Sequence, residues 1–152
     1  MSTQALVGSV ELKAWSNFLR AHAAIRRQLD RELVTAHGLT ISDFEVLYRL
    51  ANAPDKMLRR VDLAQTVLLT PSGITRLLDG LESSGFVKKQ ACKTDARVVY
   101  AKLTEKGQKR LDAASKDHLT SVAELFRERF SDDELETFAS LLERLPQTSG
   151  GC

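Results

Sequence analysis

The chain is poor in aromatic residues, which make up 6% of its 152 positions. It has no apolar run of about 18 residues, so no transmembrane helix is expected. Its N-terminus lacks the basic-then-apolar order of a secretory signal peptide. Cysteine is also scarce. Cys92 and Cys152 lie far apart, which argues against a disulfide scaffold and for reduced thiols in a cytoplasmic protein. The three histidines, His22, His37 and His118, show no metal-ligand spacing. No Gly-rich phosphate loop, nucleophile elbow or carboxylate pair stands out. Neither an enzyme nor a bound cofactor is therefore expected. Internal repeats and low-complexity stretches are missing too.

What the chain does contain is Leu, Ala, Glu, Lys and Arg, a composition that favours helices. A hydrophobic content of 43% is enough for a core in a chain the size of one domain. The net charge of +2 carries little information, but its distribution does. From Lys56 to Arg110 there are twelve basic and five acidic residues, a balance of +7, against −5 for the rest of the chain. A basic middle between acidic flanks suits a polyanion-binding module carried on another platform.

Periodicity orders the elements. From about Val10 to Ala36, Leu12, Trp15, Leu19, His22, Ile25, Leu29 and Leu33 recur at helical spacing, widened by Phe18. This helix, about 40 Å long, is long for so small a domain, and such helices often pack against another chain. His37-Gly38 ends it. A second helix starts at Thr40 with Asp43, or at Ser42 with Glu45, and buries Phe44, Leu47, Tyr48 and Leu50 or Ala51. A turn over 52–55 and a very short strand over 57–59 follow. The next helix, over 61–69, is joined almost without connection to one opening at Thr70-Pro71. Thr70 suits the cap and Pro71 the first helical position, where no N–H is needed. That helix ends near Ser83-Ser84, with Gly85 as a left-handed stop. Two helices joined so tightly form a helix-turn-helix.

After Gly85 the period changes. The runs 86–91 and 98–103 are β-like and flank the charged tip 92–97, which predicts a hairpin. A helix-turn-helix followed at once by such a hairpin is a winged helix. Thr104 caps a long helix to about Phe130. Ser131-Asp132-Asp133-Glu134 then opens a last helix through Leu145, stopped by Pro146. The tail 147–152 is expected to be mobile.

This order of elements resembles the MarR family of bacterial transcription regulators. The resemblance is carried by Leu63-Ala64, by Ser72-Gly73-Ile74-Thr75-Arg76-Leu77-Leu78-Asp79 with Leu81-Glu82 and Gly85-Phe86-Val87, by Asp95 with Arg97, and by Leu103-Thr104 with Gly107. It covers roughly residues 10–146. It implies a mainly α (α+β) fold in a single domain over 1–152: a winged helix-turn-helix over 40–104 and dimerisation helices over 10–37 and 105–146. The homodimer is expected to bind a near-palindromic operator in double-stranded DNA, by family default as a repressor. One departure is Val61, where the family often places a Ser or Thr cap. Asp62 can still favour that helix start through the macrodipole.

An α-helix fits the major groove with its N-terminal residues facing base edges. Ser72, Gly73, Thr75 and Arg76 are the candidates there, with Thr70 and Ser72 alternatively on phosphate. For Arg76 the competing assignment is an ion pair with Asp79 or a neighbouring carboxylate. Arg97 is expected in the adjacent minor groove, oriented by Asp95, with Lys88, Lys89 and Lys93 supplying phosphate charge. Two signals are open. One is a small aromatic or amphipathic ligand, as the family implies, held by Trp15, Phe18, His22, Phe44 and Tyr48. The same residues also read as ordinary core. The other is oxidation of Cys92, whose thiol pKa the neighbouring Lys88, Lys89 and Lys93 would lower. A scaffold that uses the winged helix without DNA is the remaining class.

Overall fold

The computed structural model describes residues 8–67 and 71–147. Helix α1 spans Val10–His37, with Ser9 accepting from the Leu12 N–H at 3.3 Å. Gly38 closes it at φ +66, a left-handed conformation that glycine adopts without a Cβ penalty. Helix α2, Ile41–Ala51, is opened by a reciprocal capping box between Thr40 and Asp43. Of the two starts open in the sequence, this is the one used. Ser42 and Glu45 instead receive Arg26 of α1, at 3.3 and 2.9 Å.

A 3-10 turn over Pro54–Lys56 leads into β1, Met57–Arg59. Helix α3 runs over Arg60–Thr66, one residue earlier than expected. It has no side-chain cap; Asp62 in its first turn pairs with Arg59 at 3.0 Å. The expected end of α3, at Leu68-Leu69, and the cap Thr70 lie outside the described residues. Helix α4 spans Pro71–Ser83. Strands β2, Val87–Ala91, and β3, Val99–Leu103, form the wing. The antiparallel sheet has the order β1-β3-β2, with Leu58 and Lys89 both opposite Ala101.

Helix α5, Glu105–Arg127, stops short of Phe130, and α6, Asp132–Leu142, stops short of Leu145. The reason is local: the last turn of each tightens to i→i+3 bonds, Arg129 N–H to Phe126 O and Leu145 N–H to Leu142 O. Ser131 and Glu134 form the second capping box.

The core gathers one buried face from the elements of the winged region: Leu47 and Leu50 of α2, Leu63 of α3, Ile74 and Leu78 of α4, Phe86 before β2, and Leu103 at the end of β3. The C-terminal half of α1, through Leu33, and the first half of α5, through Leu111 and Ala114, close it. Each such leucine contributes about 1.5–3 kcal/mol by burial. The terminal helices are different. Residues 10–24 of α1 are all exposed, and α6 buries none of its residues. What holds α6 to α5 is a stack of Phe126, Phe130 and Phe138, with centroids 5.7–6.4 Å apart.

Candidate nucleic-acid interface

Helix α4 has two faces. Ile74, Leu78 and Leu81 are turned into the core, and this docks the helix. Ser72, Thr75 and Arg76 are exposed at its front, beside the half-buried Gly73. Arg76 makes no ion pair with any described residue; the nearest cation to Asp79 is Arg60, at 4.0 Å. The competing assignment for Arg76 therefore does not hold, and its guanidinium is available to a ligand.

The end of α4 fixes the start of the wing. Gly85 sits at φ +80, its N–H bonds to Glu82 O and the Phe86 N–H bonds back to Leu81 O, both at 2.9 Å. The first turn of α5 then grips this corner. Thr104 Oγ1 donates to Gly85 O at 2.6 Å while accepting from the Gly107 N–H at 3.0 Å. Gly107 packs so closely on Phe86 that a Cβ there would fall 2.1 Å from the Phe86 carbonyl oxygen. Lys106 and Arg110 lie over the Phe86 ring, at 5.5 and 5.0 Å. Arg110 also donates to His37 O at 2.5 Å, so one side chain joins the end of α1 to the root of the wing. Sequence reasoning gave Arg110 no role beyond its charge. Its partners lie 73 residues away and 24 residues away in the chain, and no periodicity encodes them.

At the wing tip, Asp95 accepts from the Arg97 backbone N–H at 3.0 Å and from its Nε and Nη2 at 3.2 and 3.4 Å. The Arg97 side chain and backbone hold the Asp95 carboxyl below its ordinary pKa. The pair is therefore formed at neutral pH. The Arg97 side chain is 91% exposed, so it is fixed at its base and presented to solvent. Lys88, Lys89 and Lys93 are exposed along the same hairpin. Lys88 lies directly opposite Lys102 on β3, a like-charge pair that a bound anion would relieve.

Cys92 lies at the base of the tip, with Sγ 3.3 Å from Thr94 Oγ1. Its pKa is lowered, but not by the lysines. The causes are hydrogen bonds from the Thr94 side chain and from the Thr94 and Asp95 backbone, while burial and the Asp95 charge oppose them. The expectation of a cationic cause is corrected. Cys152 lies outside the described residues.

The five aromatic and histidine candidates fall into two groups. Trp15, Phe18 and His22 are exposed on α1, with Phe18 stacked on His22 at 6.4 Å. Phe44 is buried on α2, 6.4 Å from Tyr48 and 4.7 Å from His118 of α5. Among the described residues no helix is long and apolar enough to cross a membrane.

A helix docked by its apolar back, beside a hairpin that presents a braced arginine, is a DNA-reading geometry. The family model described as "Transcriptional regulator SarA/Rot" matches residues 28–114. The HTH-type transcriptional regulator MhqR of Bacillus subtilis is 30% identical over 134 residues, 88% of this chain and 90% of that one. The chain belongs to the MarR family of winged helix-turn-helix transcription regulators. The HTH-type transcriptional repressor YetL, also of B. subtilis, is 33% identical over 69% of this chain and 62% of its own. Among solved structures, the MarR family regulator Sco3205 of Streptomyces coelicolor, in complex with DNA, superposes with a TM-score of 0.79. It is 25% identical, over 88% of this chain and 83% of that one. A DNA-binding regulator, rather than an enzyme or a scaffold, is what this family placement gives.

Proposed function

We propose that this MarR-family chain is a homodimeric repressor that reads a near-palindromic operator and leaves it when a small molecule binds. The observation that carries the reading is the apolar surface left open on the terminal helices. Trp15 is 58% exposed, Leu119 67% and Leu141 48%. A lone chain would hold this surface in water; a second copy across it would bury it. Such a dimer sets its two α4 helices about 34 Å apart, one turn of DNA.

In each half-site Ser72, Gly73, Thr75 and Arg76 face the major-groove base edges. Thr70 and Ser72 meet phosphate at the start of α4, Arg97 enters the minor groove braced by Asp95, and Lys88 and Lys93 neutralise phosphates. The printed description of YetL as a repressor supports the sign, and the Sco3205 complex supports the DNA mode. Trp15, Phe18 and His22 with Phe44 and Tyr48 are the candidate lining for an aromatic or amphipathic signal. The setting is the cytoplasm, where the DNA is.

Selection of bound sequences from random duplex DNA tests the reading. An inverted repeat with half-site centres one helical turn apart is expected; isolated or directly repeated half-sites would overturn it. In a mobility-shift titration, Arg97→Ala should weaken binding to that operator by about 1–3 kcal/mol. Unchanged affinity would remove Arg97 from the interface.

A second reading is favoured by the lowered pKa of Cys92, whose thiolate would be the reactive form at the base of the wing. Oxidation there would displace the tip. Peroxide should then release DNA from the wild type and not from Cys92→Ser; equal release from both rejects the switch.

A further inference from the structure

Arg110 sits where three pieces of the fold meet. Its Nη1 donates to the His37 carbonyl at 2.5 Å, and its guanidinium lies over the Phe86 ring, with Cζ 5.0 Å from the centroid. His37 is the last residue of α1. Its carbonyl is one of the four at a helix end that have no partner within the helix. A guanidinium there satisfies the oxygen and meets the negative end of the helix dipole. Phe86 is 6% exposed and stands between the α4 stop at Gly85 and the first strand residue, Val87. Its N–H bonds to Leu81 O in α4, and its carbonyl accepts from the Thr104 N–H at 3.0 Å. A shift of Phe86 therefore carries the end of α4 and the root of the wing with it.

The end of α1 is gripped twice. Asp117, about two turns beyond Arg110 on α5, meets His37 Nε2 at 2.7 Å. Helix α5 thus holds both the carbonyl and the ring of one residue. Contacts further back on α1 run elsewhere. Arg26 reaches Ser42 and Glu45, and Asp30 accepts from the Ile41 N–H at 2.8 Å, all at the start of α2. Those contacts fix α1 on α2. Arg110 fixes it on the corner from which α4 and the wing depart.

We infer that Arg110 is a positioning residue for operator recognition: by joining the end of α1 to Phe86, it sets which half-site spacing the homodimer accepts. This rests on the homodimeric reading above, in which the first half of α1 belongs to the association between copies. The chemistry asks for arginine. A planar fork can lie flat on a ring and donate from its edge at the same time. An ammonium over the ring points its charge into the ring and gives up the carbonyl. Arg110→Lys therefore keeps the charge and breaks the joint, while Arg110→Met keeps only an apolar stem over Phe86.

The test is mobility-shift titration of the full chain on four duplexes. These are the selected inverted repeat, the same repeat with one base pair inserted or removed at its centre, and a single half-site. One base pair changes the separation by about 3.4 Å and turns one half-site by about 35° against the other. The wild type should lose about tenfold or more on either altered spacing, the scale of one lost contact. In Arg110→Lys and Arg110→Met that penalty should shrink to about threefold or less, with single half-site affinity within about twofold of wild type. A residue that only stabilised the fold, or only supplied charge to DNA, would lower affinity for all four duplexes together and leave the spacing penalty unchanged. Circular dichroism checks the fold of each variant, and Arg110→Lys carries the test if Arg110→Met does not fold. The inference is overturned alone if Arg110→Lys keeps the wild-type penalty, or weakens all four duplexes equally. A wild type indifferent to spacing overturns the homodimeric reading and this inference with it.

Discussion

Leu78 on α4 and Leu141 on α6 are both leucines on the apolar side of an amphipathic helix, yet Leu78 is 2% exposed and Leu141 48%. The same contrast holds across the molecule. Every element from α2 to β3 turns its apolar side into one shared core. The first half of α1 turns its apolar side outward, and α6, apart from the Phe138 stack on Phe126 and Phe130, buries none of its residues. One chain is thus enough to bury the apolar side of the winged region, and not enough to bury that of the terminal helices. On the proposed reading, base contacts would belong to a self-sufficient fold, while their separation would belong to an association between copies that can be adjusted without unfolding the winged region.

Two substitutions break that comparison most sharply. Leu78→Ala leaves a cavity in the shared core and should lower unfolding free energy by about 2–5 kcal/mol in a urea titration, with operator binding lost alongside. Leu119→Glu places a charge on the outward stripe of α5. It should leave the helical content of the chain unchanged by circular dichroism, yet raise the dimer dissociation constant at least tenfold by sedimentation equilibrium. Operator affinity should fall in parallel. If Leu119→Glu instead unfolds the chain, the two regions do not differ in the way described.

The winged half was open to sequence reasoning because its punctuation is local. Gly38 and Gly85 adopt the left-handed stops that their positions suggest, and Thr104 and Ser131 cap as their spacing implies. The helix ends at Arg127 and Leu142 were less legible, since apolar residues continue past them and only the tightening backbone decides where each helix stops. Long-range polar contacts were not legible at all. Arg26 to Glu45, Arg110 to His37 and Asp117 to His37 join residues 19 to 80 positions apart, and any acidic or carbonyl partner would have satisfied the sequence equally. The lowered Cys92 pKa was expected for the wrong reason, because lysine counts are visible in a sequence and the approach of the Thr94 hydroxyl is not.

A subtler break acts at the joint between the two regions. Gly107→Ala would push a methyl group into the Phe86 carbonyl, where the ideal Cβ position is only 2.1 Å away. The corner must shift, at about 1–3 kcal/mol. Because Phe86 carries Arg110 on its ring, the wing should move relative to α1. Operator affinity is expected to fall more than stability does, which mobility-shift and urea titrations on the same sample would compare. Equal losses would mean that the joint only holds the fold together.

The smallest effect belongs to the wing tip. Asp95→Asn keeps the shape and one acceptor oxygen for the Arg97 N–H, but removes the charge that aligns the guanidinium. The fold should be unaffected, and operator affinity should fall by less than for Arg97→Ala, since the arginine itself remains. The pH dependence sharpens this. The Asp95 pKa is lowered in the folded chain, so its stabilising pair is complete above the ordinary carboxyl value of 3.8 and is lost only as pH falls through the still lower folded value. Between pH 5 and 8, roughly, the contribution of the pair should therefore be flat, and the wild-type-to-Asp95→Asn affinity ratio should not change across that window. A ratio that collapses near pH 6 would assign the titrating group elsewhere and leave Asp95 without its bracing role.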